Sequence, residues 1–513
     1  MRTRFFLVTA GVAVLLLGAT SAVGSPAHRA AGPSGSVTVA VPTDPGNLDP
    51  QLTIVGAARF VDTFAYDTLV NLTGPGKIAS GLAQSWKVVS PKRVEFTLRP
   101  GITCADGTKM TASVVKRNLD FVGNPANKSP LLGLFVPIGA KVTANDGTRS
   151  VVVTTTTPNP FMIQGLALVQ IVCSKGLANR SLLDHGTDGT GPYKLTGAVP
   201  GDHYTFAVRK GYTWGPGGAT TAAKGLPAKV TLKVVTNETT AANLVLTGGL
   251  NVAAIGGADR ARLDKAHLFR IVSAAQPNEL FFNENPGHPA ANPAVRRALV
   301  QALNLRQLGA VVTSGRGLKM TQLSLQNFTP CAGNSVAGSV PAYKPSAARP
   351  ALSGAGNLKL LYSTDAGPSY PPAAELAQQQ LASAGARVTL EPQSTASLQA
   401  TIFGTGDWDV VIIGIGVANP AQFTALVSGP TPPHGTNFAG IANAGYKRAV
   451  ASATRRVGAA GCKYWLDGER ALFKAGDIAP LAVITSATYG RGVRFTIGLQ
   501  GPVPTSLRLT KTK

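Results

Sequence analysis

Carboxylate side chains are the groups of this chain that could carry out acid and base chemistry. The candidates, which stand at the predicted ends of strands and helices, are Glu375, Glu391, Asp407 and Asp409. A hydrolase would need a carboxylate pair or a nucleophile with a base. The chain has neither a Gly-x-Ser-x-Gly elbow nor a His-Glu-x-x-His motif. We therefore interpret these acids as helix caps and surface charge and expect no enzymatic activity, with an exported hydrolase as the alternative.

Histidines are the other residues that could do chemistry, as ligands of a metal ion. They are dispersed along the chain, at His28, His185, His203, His267, His288 and His434. Metal sites bring their ligands together at short, recurring spacings, and none occurs among these residues. We expect neither a metal nor a cofactor.

The first residues are typical of a secretory signal. Arg2 and Arg4 precede an apolar stretch over residues 5–19, and small residues follow through Ser25. We expect a signal peptide within residues 1–30 and an exported, extracytoplasmic protein, in the cell envelope or secreted. The apolar stretch is shorter than the roughly 20 residues of a membrane-spanning helix. No cysteine precedes Cys104, so we expect no lipid-anchor cysteine.

Four cysteines in an exported chain suggest two disulfides. They allow three connectivities, between which the sequence alone does not choose. We favour Cys104 with Cys173 and Cys331 with Cys462, because each bond then closes a loop within one half of the chain. Free buried thiols are the alternative.

The net charge and the length of the chain limit the classes of protein to which it can belong. Lys and Arg number 48 against 24 Asp and Glu, a formal net charge of +24 over 513 residues. The basic residues stand singly or in pairs, and no basic run is interleaved with aromatics as in proteins that track a phosphate backbone. We expect a solvated basic surface, no nucleic-acid partner, and a folded protein of at least two lobes.

Strands and helices must position any site in this chain. Alternating apolar residues predict strands at Val37, Val39 and Val41, at Val94, Phe96 and Leu98, at Tyr204, Phe206 and Val208, and at Val230, Leu232 and Val234. Helical spacing follows from Ala241 and ends at Gly248. Another helix has Asn292 as its cap and Pro293 in its first position. In it we place Arg296 and Arg297 on a solvated face.

A β-α-β-α-β pattern occupies the later part of the chain. The predicted elements are a strand over 358–362, a helix over 372–384, a strand over 387–391, a helix over 395–403 and a strand over 409–413. Such connections make the strands parallel, and ligands lie beyond the carboxyl ends of strands in open sheets. The loop over 414–419 therefore faces the expected cleft. Its small residues Gly414, Gly416 and Ala418 suit close approach to a ligand, although an ordinary tight turn explains them equally.

A series of short motifs resembles the extracellular solute-binding proteins, family 5, of the oligopeptide, dipeptide and nickel importers. The matching segments are residues 41–50 (VPTDPGNLDP), 56–59 (GAAR), 66–70 (YDTLV), 81–86 (GLAQSW), 96–102 (FTLRPGI), 106–108 (DGT), 189–193 (GTGPY), 282–283 (FN) and 295–299 (VRRAL). Each motif is weak by itself, but together they follow the family's order from about residue 37 to 489.

The resemblance implies an α/β fold of two lobes, like periplasmic binding proteins of type II in the large peptide-binder class. Lobe I would comprise residues 36–66, 183–275 and 480–513, with a subdomain over 67–182, and lobe II residues 276–479. Two strands would cross between the lobes near 273–283 and 475–482. Solute bound at the seam would stabilise the closed form, which the membrane permease subunits of an ABC importer would recognise.

The residues that we expect to contact the solute lie in one loop of each lobe and beside the first crossing. They are Thr53, Ile54, Val55 and Gly56, then Asn283, then Gly414, Ile415, Gly416, Val417 and Ala418. For Asn283, an alternative role is to satisfy buried backbone near the hinge. All of the loop residues could also be turns of the fold.

The identity of the solute is left open by one departure from the family. In peptide-binding relatives, an acid in the segment that matches residues 414–423 pairs with the peptide's amino group, and this segment has no Asp or Glu. We expect a peptide or peptide-like solute and a monomeric protein. A saccharide or another uncharged solute, and a sensor or adhesin built on the same fold, are alternatives.

Overall fold

The structure is a computed structural model that describes residues 35–74 and 76–510. The predicted signal peptide, residues 1–30, lies outside these residues. Within them, no helix is long and apolar enough to cross a membrane.

The described chain contains both strands and helices along its whole length. The strands are β1 (Ser36–Val41), β2 (Val70–Gly74), β3 (Lys77–Ser80), β4 (Ala83–Ser90), β5 (Arg93–Leu98), β6 (Lys141–Asn145), β7 (Ser150–Thr154), β8 (Tyr193–Val199), β9 (His203–Val208), β10 (Lys229–Val234), β11 (Val252–Ile255), β12 (Phe269–Phe282), β13 (Leu318–Lys319), β14 (Asn357–Ser363), β15 (Arg387–Gln393), β16 (Val410–Gly414), β17 (Ile478–Gly490), β18 (Val493–Arg494), β19 (Ile497–Gly498), β20 (Gly501–Pro502) and β21 (Arg508–Leu509). The helices are α1 (Gly56–Ala65), α2 (Ala112–Gly123), α3 (Met162–Leu166), α4 (Ser174–Ala178), α5 (Glu238–Thr247), α6 (Arg260–Lys265), α7 (Pro293–Ala302), α8 (Leu305–Val312), α9 (Pro345–Ser353), α10 (Tyr370–Ser383), α11 (Thr395–Ala400), α12 (Pro420–Val427), α13 (Ala444–Thr454) and α14 (Cys462–Ala475).

One large mixed sheet runs through the molecule, in the strand order β15-β14-β16-β12-β17-β11-β1-β10-β9-β8, and β13 also pairs with β17. Strand β1 is parallel to both β10 and β11, whereas β12 and β17 are antiparallel to each other. A second sheet has the order β4-β5-β7-β6. The strands that we predict from alternating apolar residues are confirmed as β1, β5, β9 and β10.

The predicted β-α-β-α-β unit is confirmed. Strand β14 is parallel to β15 on one side and to β16 on the other. Helix α10 ends ahead of Gly385, whose φ of +94° only glycine adopts without strain. Helix α11 continues into a π-helical turn over Thr401–Thr405. The carboxyl end of β16 is therefore Gly414, at the start of the loop that we expect to face the cleft.

Strands β12 and β17 are the longest in the described chain and hold the two ends of the large sheet together. The first half of β12 is partly exposed and pairs with β17 alone, whereas its second half is buried between β17 and β16. The pairing shifts register between Ala274 and Gln276, next to Pro277. Proline cannot donate a ladder hydrogen bond, and a bulge bends a strand locally. The change of surroundings along β12 therefore coincides with an irregularity of the strand.

Separate hydrophobic cores form on either side of this irregularity. One core surrounds the four-stranded sheet and includes Phe96 and Leu119, and another lies under β1, β9 and β10 around Phe64 and Phe206. Two further cores pack on opposite faces of the β14-β16-β12 region. Strand alternation explains this division, because Leu280 and Phe282 face one core and Phe281 faces the other.

Disulfides join Cys104 to Cys173 and Cys331 to Cys462, the connectivity that we favour from the sequence. The first bond belongs to the core around the four-stranded sheet. The second lies beside α14, where Cys331 is buried with Trp465. Neither bond joins residues of the expected lobe I or its subdomain to residues of the expected lobe II.

The prediction for Arg296 is wrong. We place it on a solvated face of α7, but its side chain is only 8% exposed. Its Nη2 lies 3.3 Å from Oε2 of Glu284 and 3.4 Å from Oδ1 of Asp477. Glu284 follows the end of β12 and Asp477 precedes β17, so a buried guanidinium bridges the ends of the two long strands. Helical spacing gives the face of a residue but not what packs on that face. Arg297 is exposed, as expected.

Candidate functional site

A cavity lies between helix α1, the start of β2 and the C-terminal hairpin β19–β20. Its volume is about 510 Å³. Polar residues at its wall include Arg59, Asp67 and Gln170, and apolar ones include Leu72 and Leu499. Small-molecule sites commonly have volumes of about 300–1,000 Å³ and are mostly apolar with a few polar groups. This cavity therefore has the size and composition of a small-molecule site.

A second cavity, of about 410 Å³, adjoins the first. It is lined by residues 271–274 of β12 and by residues 326–328. Thr73, Thr496 and Ile497 line both cavities. The two volumes therefore meet along the C-terminal hairpin, in front of the partly exposed half of β12.

The first predicted loop, residues 53–56, leads directly into α1. Thr53 is buried, and its Oγ1 accepts a hydrogen bond of 3.1 Å from the backbone N–H of Val55. Ile54 and Val55 are 53% and 50% exposed. The loop thus presents two apolar side chains to solvent one turn before Arg59, without lining either cavity itself.

The second predicted loop, residues 414–418, lines neither cavity but lies near residues adjacent to the second one. A Cβ on Gly416 would lie 3.7 Å from Cδ1 of Leu325 and 3.9 Å from the carbonyl oxygen of Ala275. Leu325 and Ala275 are the chain neighbours of Gln326 and Ala274, which line that cavity. The loop is held in place because the N–H of Leu325 donates a 2.9 Å hydrogen bond to the carbonyl of Val417.

A buried acid from another strand reaches this loop. Glu279 of β12 is buried, and its Oε2 accepts a 3.3 Å hydrogen bond from the backbone N–H of Ile415. Its Oε1 has no hydrogen-bond partner among the described residues. Burial raises the pKa of Glu279 well above its usual value, and the bond from Ile415 opposes that shift. The loop has no acid of its own, yet a carboxyl group lies directly behind it.

Asn283 lies away from both loops and lines neither cavity. Its side chain is 0% exposed, and its Nδ2 donates to the carbonyls of Gly406 (3.0 Å) and Trp408 (2.8 Å). Its Oδ1 accepts from the backbone N–H and from the Nδ2 of Asn285. The side-chain amide therefore forms hydrogen bonds with buried backbone groups just beyond β12, which is the alternative role that we describe for it.

The four acids considered for catalysis have structural surroundings. Glu375 and Asp407 are exposed, and Asp407 pairs with Nζ of Lys359 at 2.6 Å. Asp409 is buried, contrary to the expectation of surface charge, and its Oδ2 accepts a hydrogen bond from the backbone N–H of Lys359. Its Oδ1 faces Nδ1 of His288 at 2.9 Å. In residues 35–74 and 76–510, no group of three or more His, Cys, Asp or Glu side chains could hold a metal ion.

Three buried polar residues at the first cavity are not among the predicted site residues. Arg59 lies within the matched GAAR segment, but its burial depends on residues from distant parts of the chain. Asp67 accepts hydrogen bonds from Tyr212 Oη (2.7 Å), from Trp214 Nε1 (2.9 Å) and from Thr190. Burial raises the pKa of Asp67, and these three bonds oppose the shift. Gln170 is a third such residue, and its Oε1 has no partner among the described residues.

Comparison with known proteins finds a match to one protein family. The family described as bacterial extracellular solute-binding proteins, family 5 Middle, matches residues 77–434. The chain is similar to the glutathione-binding protein GsiB of Pectobacterium atrosepticum, with 27% identity over 79% of this chain and 76% of that protein.

Solved structures have the same fold. A substrate-binding protein of Microbacterium hydrocarbonoxydans, complexed with 4-hydroxybenzoate hydrazide, is 26% identical, with a TM-score of 0.73 over 93% of this chain and 100% of that one. The ABC transporter substrate-binding protein CtaP of Listeria monocytogenes is 18% identical, with a TM-score of 0.79 over the same shares. These likenesses confirm the predicted α/β fold of two lobes in the peptide-binder class. The chain belongs to the bacterial extracellular solute-binding proteins of family 5, which are binding proteins and not enzymes.

Proposed function

We propose that the protein is the extracytoplasmic solute-binding component of an ABC importer. It would capture a peptide or peptide-like solute between its lobes and deliver it to membrane permease subunits. The observation that carries this proposal is the family match over residues 77–434, in a fold where one cavity is lined by residues 271–274 of the long strand β12. The proposal includes export through the predicted signal peptide, and action as a monomer.

The lobes are proposed with the boundaries expected from the sequence. Lobe I comprises residues 36–66, 183–275 and 480–513, the subdomain 67–182, and lobe II 276–479. The separate hydrophobic cores support this division, because each draws almost all its residues from one of these segments. The register shift after Ala274 supports a hinge at the first crossing. Closure would then be a rotation about β12 and β17.

The solute is proposed to lie against residues 53–56 of lobe I and residues 414–418 of lobe II. Exposed apolar side chains in the first loop and the exposed Gly416 in the second support contact with a solute. Both loops expose part of their chain to solvent, although neither loop lines a cavity. Backbone edges of this kind suit an extended peptide, which can pair its own N–H and C=O groups with them.

Two relatives bear on the class of solute. The Pectobacterium relative is named for glutathione, a short peptide, and the Microbacterium protein was solved with a hydrazide. A peptide-like solute is the first candidate, because the buried carboxyl of Glu279 behind residues 414–418 can complement an amino group. An uncharged solute such as a hydrazide is the second candidate, supported by the Microbacterium likeness.

Native mass spectrometry of the freshly purified mature protein tests the proposal, followed by calorimetric titration with what is released. We expect a small solute in the cleft, and closure on binding that small-angle scattering detects as a smaller radius of gyration. Identical scattering with and without every solute tried would contradict it. A bound solute whose uptake does not depend on the gene would favour the sensor alternative.

A further inference from the structure

We infer that the cavity of about 510 Å³ beside helix α1 holds the carboxylate end of a short peptide through the guanidinium group of Arg59. This inference rests on the proposed function and names the part of the solute that this cavity takes. It adds a lobe I residue, on helix α1, that lies outside both predicted loops.

Arg59 is a buried charge whose hydrogen bonds are incomplete. Its side chain is 3% exposed and lines the cavity. One nitrogen, Nη2, donates to the carbonyl of Leu168, which also lines the cavity, whereas Nε and Nη1 have no partner among the described residues. A buried cation is costly unless it is paired. Two adjacent guanidinium N–H groups match the two oxygens of a carboxylate.

The protein itself does not provide the missing anion. Asp62, one turn further along α1, forms no ion pair with Arg59 in the described structure, and neither of its carboxyl oxygens has a hydrogen-bond partner there. Burial raises the pKa of Asp62 well above its usual value and thereby favours its neutral form, although Arg59 opposes this shift. Asp67, also at the cavity wall, already accepts three hydrogen bonds and its pKa is raised as well. The remaining charged group at the wall is Arg508, a second cation.

A hydrogen-bond acceptor beside Arg59 restricts which ligands would fit the cavity. Gln170 lines the same cavity, and its Nε2 donates to the backbone carbonyl of Arg59 at 3.4 Å. Its buried Oε1 has no partner in the described structure. The free groups are thus two donors on a cation and one neutral acceptor beside them. The C-terminal residue of a peptide presents the complement, a carboxylate and the N–H of the last peptide bond.

The experiment compares peptides that differ only at the carboxyl end. The probes are tri-alanine and tri-alanine amide, and reduced glutathione and its glycinamide form, titrated calorimetrically into protein freed of solute by unfolding and refolding. We expect the wild-type protein to bind the free acids at least tenfold more tightly than the amides. Arg59→Gln should bind acids and amides equally. Arg59→Lys should keep part of the preference for free acids, because lysine retains the positive charge but lacks the paired N–H donors of the guanidinium group.

Arg491→Gln is the matched control. It removes the same charge from a half-buried arginine whose Nη1 donates to the carbonyl of Leu246 at 2.6 Å, and Arg491 lines none of the cavities described above. This variant should keep the preference for free acids. Thermal unfolding of the solute-free proteins gives an independent readout. Arg59→Gln should unfold at the same or a higher temperature than the wild type, since it removes an unpaired buried charge, whereas an arginine with a purely structural role would lower that temperature on replacement.

The outcomes separate this inference from the proposed function. Tight binding of both acid and amide by the wild type, or an unchanged preference in Arg59→Gln, would overturn the role of Arg59 and leave the solute-binding function standing. Binding of none of the four probes, together with a cleft that carries no peptide after purification, would overturn both this inference and the peptide-like solute of the proposed function.

Discussion

The ring of Phe161 packs against the indole of Trp465, with ring centroids 6.0 Å apart. Phe161 precedes α3 in the proposed subdomain, and Trp465 lies on α14 in the proposed lobe II. Both side chains are buried, and next to them the N–H of Gly458 donates a 3.0 Å hydrogen bond to the carbonyl of Pro160. This contact joins parts of the molecule that would separate if the lobes opened, so it belongs to the closed form in the proposed mechanism.

Replacement of Phe161 by alanine should therefore shift the protein towards the open form. Loss of a buried phenylalanine typically destabilises a folded protein by about 3–5 kcal/mol. We expect the closed form to be destabilised relative to the open form by less than this, on the order of 1–2 kcal/mol. Solute affinity should fall roughly tenfold, since about 1.4 kcal/mol corresponds to that factor. Small-angle scattering of the solute-bound protein should show a larger radius of gyration than for the wild type.

Phe206→Ala is the control for this prediction, because Phe206 is buried in a core that lies within lobe I. That variant should lose stability against denaturant without a change in dimensions under native conditions. If the two variants scatter alike, the contact between Phe161 and Trp465 does not control closure.

The buried guanidinium of Arg296 gives a prediction about stability. Its loss would leave Glu284 and Asp477 buried without a cation, and breaking such a group typically costs roughly 3–5 kcal/mol. Arg296→Gln should lower the free energy of unfolding by about this amount at pH 8. Arg297→Gln changes an exposed neighbour on the same helix and should have an effect of less than about 0.5 kcal/mol. Equal effects of the two substitutions would contradict the buried role.

The same cluster predicts how stability depends on pH. Burial, and then the neighbouring Asp477, raise the pKa of Glu284 from 4.5 to about 8. Between these values the folded protein retains a proton that the unfolded chain has lost, so this carboxyl group makes stability fall as the pH rises from about 4.5 to 8. In Glu284→Gln this contribution should be absent. Urea unfolding at pH 5, 6, 7 and 8 measures it, and an unchanged slope in the variant would refute the assignment.

Local patterns were sufficient to predict most of the elements and the fold. Strand β1 follows from alternating valines, and α7 begins where Asn292 caps it, with Oδ1 accepting from the N–H of Ala294 at 2.9 Å. The order of β14, α10, β15, α11 and β16 also follows from the sequence, because each element has its own periodicity. These features depend on residues that are close together in the chain.

The features that could not be predicted depend on contacts between distant segments. Arg59 and Arg296 look like ordinary helix-surface arginines until the elements that cover them are known. Glu279 lies in an apolar stretch of β12, and only the pairing of β12 with β16 brings it to Ile415. Periodicity reports burial along one element, whereas these side chains are defined by what another element places against them.

Glu279 leads to a prediction about the solute. Its carboxyl group, held behind residues 414–418, should stabilise an amino group bound at that loop. We expect Glu279→Gln to weaken binding of a peptide with a free amino terminus about tenfold, or ~1.4 kcal/mol, and to leave the N-acetylated peptide unaffected. Calorimetric titration of both peptides measures the difference.

Proton release accompanies this binding if Glu279 is the partner. Burial raises its pKa and so favours the protonated form in the free protein, whereas a bound ammonium group would favour the ionised form. Titrations in buffers of different ionisation enthalpy should therefore show proton release in the wild type and not in Glu279→Gln. Glu469→Gln is the control, since Glu469 is also buried but bonds to Ser335 and to Leu323. Equal losses for free and acetylated peptides would argue against the assignment.

Gly416 provides the most direct test of the loop in lobe II. A leucine there should fill the space in front of residues 414–418 and abolish solute binding. The fold should tolerate it, because a Cβ at Gly416 would make only ordinary contacts, the nearest at 3.7 Å. Gly197→Leu, on β8 where a Cβ would meet nothing within 4 Å, is the matched control and should bind normally. Thermal unfolding of both variants should stay close to that of the wild type. Unchanged affinity in Gly416→Leu would exclude this loop from the binding site.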